Sequence, residues 1–529
     1  MVSRDFYVAT RHAGLYIPCT LSFDDEQFDR IATEVARLTE IVLHTSTYDR
    51  LLSLDIRCSD SDEALTGPDI PTPVLDAFTT LARALSLSLE RLVNLAVYVP
   101  LPLVPLILES LRLPAPLLRS FVFECDQGNP EQPASHSISV SLFGNEPHNL
   151  RHVSLSSIVL PAVPIPAFSR VSRVQLSFGG ARNLDIGLHF PRTVDMELRC
   201  DPSDDNKTPP ELSFTGLTLE GLVVRAGADY APDLLLSAVN RRLHLDSIPV
   251  IQMYTYGCDS ATLLWQSIPE RLVLWIEADF VGDADMCVVV SSPGTGWTRL
   301  LHFHIWCPEL YPRSPIEDLP FLDNIVQLRL DNRFLDGILR DMLSLEVLEH
   351  IQIDLPSRGP APGMLWPPAW KDGVSHGDAL PESWCFEVEY PEYWLTCPSL
   401  KVLTLSAVDR PMTVNSREVA YLGCALGQEN ATWTETAGLV LVGVSFATPA
   451  SRDLIEETFC VVLECKFTGA GAPEDLGLGM SLYEWDTLAA ALILTALALI
   501  GVDFATPVAP SCSIFSCENY DEGLWEEGL

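Results

Sequence analysis

A short phrase recurs along this chain: an apolar residue, two others, a second apolar residue, one more, then a third. It stands at Leu38/Ile41/Leu43, Leu92/Leu95/Val97, Leu118/Phe121/Phe123, Leu150/Val153/Leu155 and Val171/Val174/Leu176. It returns at Leu219/Leu222/Val224, Leu300/Phe303/Ile305, Ile325/Leu328/Leu330, Leu348/Ile351/Ile353 and Leu400/Leu403/Leu405. Adjacent copies lie roughly 20–33 residues apart, a period typical of stacked repeats. The wide gaps hold weaker copies in phase. Met196 and Leu198 fill one, and Leu243/Leu245 and Leu272/Leu274 fill another, with Asn240 or Pro269 at the first position. One such unit cannot bury its own apolar face, so neighbours must stack.

Inside each phrase the pattern has period two, as in a strand with one buried face. In Leu150–Leu155, Val153 and Leu155 share one face while His152 and Ser154 share the other. Helical spacing follows in residues 233–243, in 334–348 (Leu335, Ile338, Leu339, Leu343) and in 416–427 (Val419, Leu422, Leu426). Pro and Gly cluster between these stretches, where loops belong. The expected fold is α/β: an irregular leucine-rich-repeat-like solenoid, a horseshoe with a parallel sheet on the concave face and helices outside. Regular repeats of this kind place Asn three residues after the last strand Leu. Here those positions hold Pro100, Ile158, Gly227 and Arg333, so an irregular coil is expected.

The expected organisation has five parts. Residues 1–75 read as an opening unit, with a helix over 25–38 feeding a strand at Ile41–Leu43, and an apolar run at Leu51–Ile56 pairing locally as a cap. Residues 74–92 include a helix leading into the Leu92 strand. Residues 76–355 form the solenoid, 356–398 a Pro/Trp-rich insertion (Trp366, Trp370, Trp384, Trp394) with a cryptic strand at 386–389, and 399–470 the final repeats. Residues 471–529 end in the apolar run Thr487–Val502 and an acidic tail, expected to be disordered from Cys517. Asp486 and Gly501 can cap a helix over that run. It falls short of the roughly 20 residues a bilayer needs and lacks flanking Lys or Arg, so a helix sealing the end of the coil is expected. A membrane anchor is the alternative.

The chain carries 71 acidic against 33 basic residues, a net charge of -38. That field disfavours nucleic acid and anionic membranes as partners. It favours solubility or a basic protein surface. The 14 Cys residues form no CxxC pair and no Cys/His zinc spacing, and residues 1–14 lack an apolar leader. Free thiols in a reducing cytoplasmic or nuclear compartment are expected.

No nucleophile elbow, phosphate loop, dinucleotide fingerprint or metalloprotease motif occurs, so no catalytic residue, cofactor or metal site is assigned. His302 and His304 share a strand face, but two imidazoles are a weak metal signal. Strand alternation instead offers protein-binding candidates on the solvent face: His152, Ser154, Arg173, Gln175, His302, His304, Gln327, Arg329, Gln352 and Thr404.

The segments LRLPAPLLRSFVFEC (111–125), LFGNEPHNLRHVSLSSIVLP (142–161), PAFSRVSRVQLSF (166–178) and CPSLKVLTLS (397–406) resemble the repeat bodies of fungal F-box proteins, over residues 75–465 or so. The resemblance implies a body that presents substrates to a cullin-type ubiquitin ligase. Its docking element for a Skp-type adaptor, opening with an LPxE-like phrase, has no counterpart in residues 1–40. The expected function is therefore a non-enzymatic interaction scaffold. The alternative is a membrane-associated or assembly protein acting through the apolar run 487–502.

Overall fold

The computed structural model describes residues 15–23, 28–46, 51–60, 71–126, 137–145, 147–178, 183–200, 211–226, 232–255, 263–265, 268–278 and 286–293. It also describes 295–303, 319–331, 344–355, 395, 397–407, 411–427, 433–446 and 452–465. Residues 356–394 of the insertion with its strand at 386–389, residues 334–343 of the helix expected over 334–348, His304, the apolar run 487–502 and the acidic tail lie outside the described residues.

In chain order the strands are β1 (Leu15–Phe23), β2 (Leu52–Asp60), β3 (Leu92–Pro100), β4 (Ser120–Asp126), β5 (His152–Ser156), β6 (Arg173–Phe178) and β7 (Asn183–Asp185). Then come β8 (Asp195–Cys200), β9 (Glu211–Ser213), β10 (Gly221–Ala226), β11 (Val250–Thr255), β12 (Leu272–Ala278), β13 (Met286–Ser291) and β14 (Thr298–Phe303). The last are β15 (Ile325–Asp331), β16 (His350–Leu355), β17 (Val402–Ala407), β18 (Met412–Val414), β19 (Gly438–Val442), β20 (Val444–Phe446) and β21 (Val461–Cys465). The chain forms two compact units: residues 1–268 with 277–289 and 298–315, and residues 269–276 with 290–297 and 316–529. Both are mixed α/β and rest on mostly parallel sheet.

In the first unit β1, β2, β3, β4, β5, β6, β8, β10, β11 and β14 pair in that sequence, all in parallel. The register puts Leu54, Leu95, Phe121, Val153, Val174, Met196, Leu222 and Ile251 in one row, every one buried. Ile56, Val97, Phe123, Leu155, Leu176, Leu198, Val224 and Met253 form the next row, also buried. These are the second and third residues of the recurring phrase. Before β4, β5 and β6 the phrase's first residue is buried where a tight turn closes. Leu118, Leu150 and Val171 donate their N–H to the carbonyls of Ala115, Pro147 and Phe168. Each such turn aims the next residues into the sheet and anchors them with one more aliphatic side chain.

Helices α1 (Phe28–Ser46), α2 (Thr72–Ser88) and α3 (Val104–Ser110) precede β2, β3 and β4. In α2, Val74, Phe78, Leu81 and Leu85 recur at helical spacing and are buried. Pro sits in its first turn, where its missing N–H costs nothing. The side chain of Ser86 bonds the Ser110 carbonyl at 2.9 Å, tying α2 to α3.

The second unit repeats the scheme. Leu274, Leu328, Ile351, Leu403, Leu439 and Val462 share one row across β12, β15, β16, β17, β19 and β21. Leu348 and Leu400 close the same turn onto the carbonyls of Leu345 and Cys397. The Cys397 thiol donates to the Leu426 carbonyl at 3.4 Å, and burial pushes its pKa up to about 12, so it fastens rather than reacts. Helix α4 (Ser416–Gly427) follows the spacing expected for 416–427. Its Gly423 admits the Phe459 ring, since a Cβ there would stand 2.4 Å from Phe459 Cζ.

Four expectations need correction. Leu38/Ile41/Leu43 belongs to α1, not to a strand: Ile31, Val35, Leu38 and Val42 continue one buried helical stripe through it. The run Leu51–Ile56 is no local cap, because β2 pairs in parallel with both β1 and β3. Leu243/Leu245 is a turn, and the strand lies later, with Ile251 and Met253 in the core rows. In β14 the core rows hold Arg299 and Leu301, so Leu300/Phe303/Ile305 is out of phase.

Candidate interaction face

Successive strand residues point to opposite faces, so the register that aligns the core also aligns a second, polar face. In the first unit one row of that face runs Ser154, Gln175, Glu197, Val223, Gln252, Leu300. The next runs Glu124, Ser156, Ser177, Arg199, Arg225, Tyr254, His302. A third begins with Ser120, His152, Arg173 and Asp195.

The charged groups are held, not loose. Glu197 Oε1 accepts from the Nε of both Arg199 and Arg225 at 2.7 Å. The Arg225 guanidinium lies 3.8 Å from the Tyr254 ring centroid, and Tyr254 stacks on His302 at 4.3 Å with an 8° interplanar angle. Gln252 Nε2 donates to Tyr254 Oη at 2.5 Å and lies 2.9 Å from His302 Nε2. The buried Cys287 Sγ lies 3.7 Å from the same nitrogen. Gln252, Tyr254 and Cys287 thus hold the His302 ring from three sides. The result is a pre-ordered stack of guanidinium, phenol and imidazole, with cation–π attraction at its head. His152 accepts or donates at 2.9 Å with Ser120 Oγ, and burial first, then Arg173, holds its pKa below the ordinary imidazole value.

The second unit carries its own cluster. Arg329 lies 4.4 Å over the Trp275 ring and bonds Asp354 at 2.5 Å. Gln352 donates to the other oxygen of Asp354 at 2.9 Å. One row runs Arg329, Gln352, Thr404. Beside it His350 meets Thr404 Oγ1 at 2.9 Å. Desolvation pulls the His350 pKa down to about 4, so the ring is neutral at pH 7. The unfolded chain, near 6.5, takes the proton first as pH falls. The stability His350 contributes is full above pH 6.5 and is lost as pH drops toward 4. Urea midpoints between pH 7.5 and 4 should therefore fall less steeply for His350→Gln than for wild type. Equal slopes would show that the ring is not desolvated.

The sequence-derived candidates land on this face, with differences in depth. His152 and Arg173 are register partners, as are Ser154 and Gln175. Gln352 lies beside both Arg329 and Thr404. Gln327 flanks His350, and His302 sits at the end of the Arg225–Tyr254 stack. Ser154 and Thr404 are not solvent-facing, at 3% and 7% exposure: their short side chains sink between longer neighbours. Glu197, Arg199, Arg225, Tyr254, Trp275 and Asp354 were missed. The first three alternate with Met196, Leu198, Leu222 and Val224, so simple alternation could have found them. Tyr254 was hidden by the misplaced strand at Leu243/Leu245.

Among the described residues no group of three or more His, Cys, Asp or Glu side chains could hold a metal ion. No described helix is long and apolar enough to cross a membrane. No protein-family model matches the chain, and no curated protein matches it.

Proposed function

We propose that this chain is a non-enzymatic protein-interaction scaffold, built as an irregular leucine-rich-repeat-like solenoid, that holds a partner on the polar face of its sheet. The observation that carries the reading is the alignment of Arg225, Tyr254 and His302 in one row of the first unit, and of Trp275 and Arg329 in one row of the second, each braced by a neighbour. Arg, Tyr and Trp are the side chains that dominate protein contacts, and bracing reduces the entropy lost on binding. A narrower form makes the chain a substrate-recognition body of the F-box type. It rests on the segments at 111–125, 142–161, 166–178 and 397–406, and its test is whether a Skp-type adaptor co-purifies with the full chain.

The test is quantitative capture of partners by the full chain and by Arg225→Ala and Arg329→Ala. Each variant should weaken the partner that contacts its unit at least tenfold, about 1.4 kcal/mol. Glu109→Ala, on the exposed end of α3, should change nothing. Equal capture by all four proteins would remove the polar face as the contact surface.

A further inference from the structure

The alternation between a buried and an open face stops at the last strands of the second unit. In β3, Asn94 is exposed and Ala96 and Tyr98 are half-buried between buried Leu95 and Val97. In β17 every residue is buried, and in β19 all but Val442 are. The face that carries Arg329, Gln352 and Asp354 loses its charges here: Val402 with the buried Thr404 and Ser406 on β17, then Val440 and Val442 on β19, and Val461 and Leu463 on β21. Val402 and Val440 form a cluster of their own, with Val442 and Leu463 packed against it. It lies on the opposite face from Leu403, Leu405, Leu439 and Leu441, the core of the unit. Parallel strands that are apolar on both faces belong to sheets covered on both faces.

We propose that residues 487–502 of this same chain cover that patch. The run TLAAALILTALALIGV holds no charged residue, and exposed to water it would be a contiguous apolar surface of the kind folded proteins avoid. The patch holds no charged side chain either. The two are complementary in the one property that makes burial favourable for both. Reach is ample. The chain leaves β21 at Cys465, and the 21 residues before Thr487 can extend about 70 Å. The patch spans three strands, about 10 Å. Tethering gives the run an effective concentration near the millimolar range, well above that of a second copy at ordinary concentrations. The Trp-rich residues 356–398 are a poorer match, since they carry Arg358, Lys371, Asp372 and Glu382. With the run in place, the polar face of this unit open to a partner is limited to the strands bearing Trp275, Arg329 and Gln352.

The experiment places the photoreactive residue benzoylphenylalanine at Val442, and separately at Leu463, in the full chain. Light-labelled and heavy-labelled protein are mixed before irradiation, and the cross-linked peptides are read by mass spectrometry. Cross-links within one chain to peptides spanning 487–502 are expected. They should fall at least fivefold when Leu494 and Leu497 are both changed to Asp, substitutions far in sequence from every strand. Cross-links to 356–398, cross-links that mix isotopes between copies, or no cross-link at all would each overturn the proposal. The same holds if the run is found instead in added phosphatidylcholine vesicles.

Discussion

Arg299→Met is expected to lower the stability of the first unit by about 2–5 kcal/mol, read as a fall in the urea midpoint of the full chain. Arg299 occupies a core-row position beside Ile251 and is 1% exposed. Its guanidinium donates to the carbonyls of Leu245, Ile248, Pro249 and Thr298, at 2.9–3.2 Å. Burial pulls its pKa to about 10, which still leaves it charged at pH 7. Methionine keeps the volume and removes the donors. Each carbonyl left without a donor in a dry site costs about 1–3 kcal/mol. The total stays below the full sum because the Leu245 and Pro249 oxygens also accept backbone N–H groups. Arg299→Lys keeps the charge but not the fork and should fall between the two. A methionine variant within about 0.5 kcal/mol of wild type would show that the turn at 245–249 holds without the arginine.

Phe143→Ala is expected to cost a further class of energy, about 3–5 kcal/mol, through the cavity it opens. The ring is fully buried and meets Phe121 edge-on at 5.0 Å. Its backbone, however, sits at φ 54°, a left-handed conformation that side chains resist by roughly 1–2 kcal/mol. The comparison with Phe143→Gly is therefore diagnostic. Glycine loses the same ring but sheds the strain, so it should be the milder substitution by about 1 kcal/mol, the reverse of the order on a helix. Should alanine prove the milder of the two, the left-handed turn at Phe143 would not describe the protein in solution.

These two sites also mark where sequence reading stops. Val153, Val174, Leu328, Ile351 and Leu403 declare their row by aliphatic identity and spacing, and the register follows because a one-residue slip would turn them to the other face. Arg299 declares nothing. Its core position depends on three carbonyls, of Leu245, Ile248 and Pro249, presented by a turn some fifty residues earlier in the chain, a long-range match that no local pattern encodes. The reading therefore moved to the nearest aliphatics and placed β14 out of phase. Leu38/Ile41/Leu43 failed for the opposite reason: the phrase is present, but helical spacing from Ile31 onward outweighs it. On the polar face, His152, Gln175, Arg329 and Gln352 were legible from alternation. The Arg225–Tyr254–His302 stack was not, because it joins three strands whose relative register only the fold reveals.

In the stretch Met196–Glu197–Leu198–Arg199, neighbouring letters answer to different demands. Methionine and leucine are constrained by what lies beneath the sheet, glutamate and arginine by the polar rows they join. Every second letter of a strand can therefore change while the intervening letters, and with them the architecture, stay still.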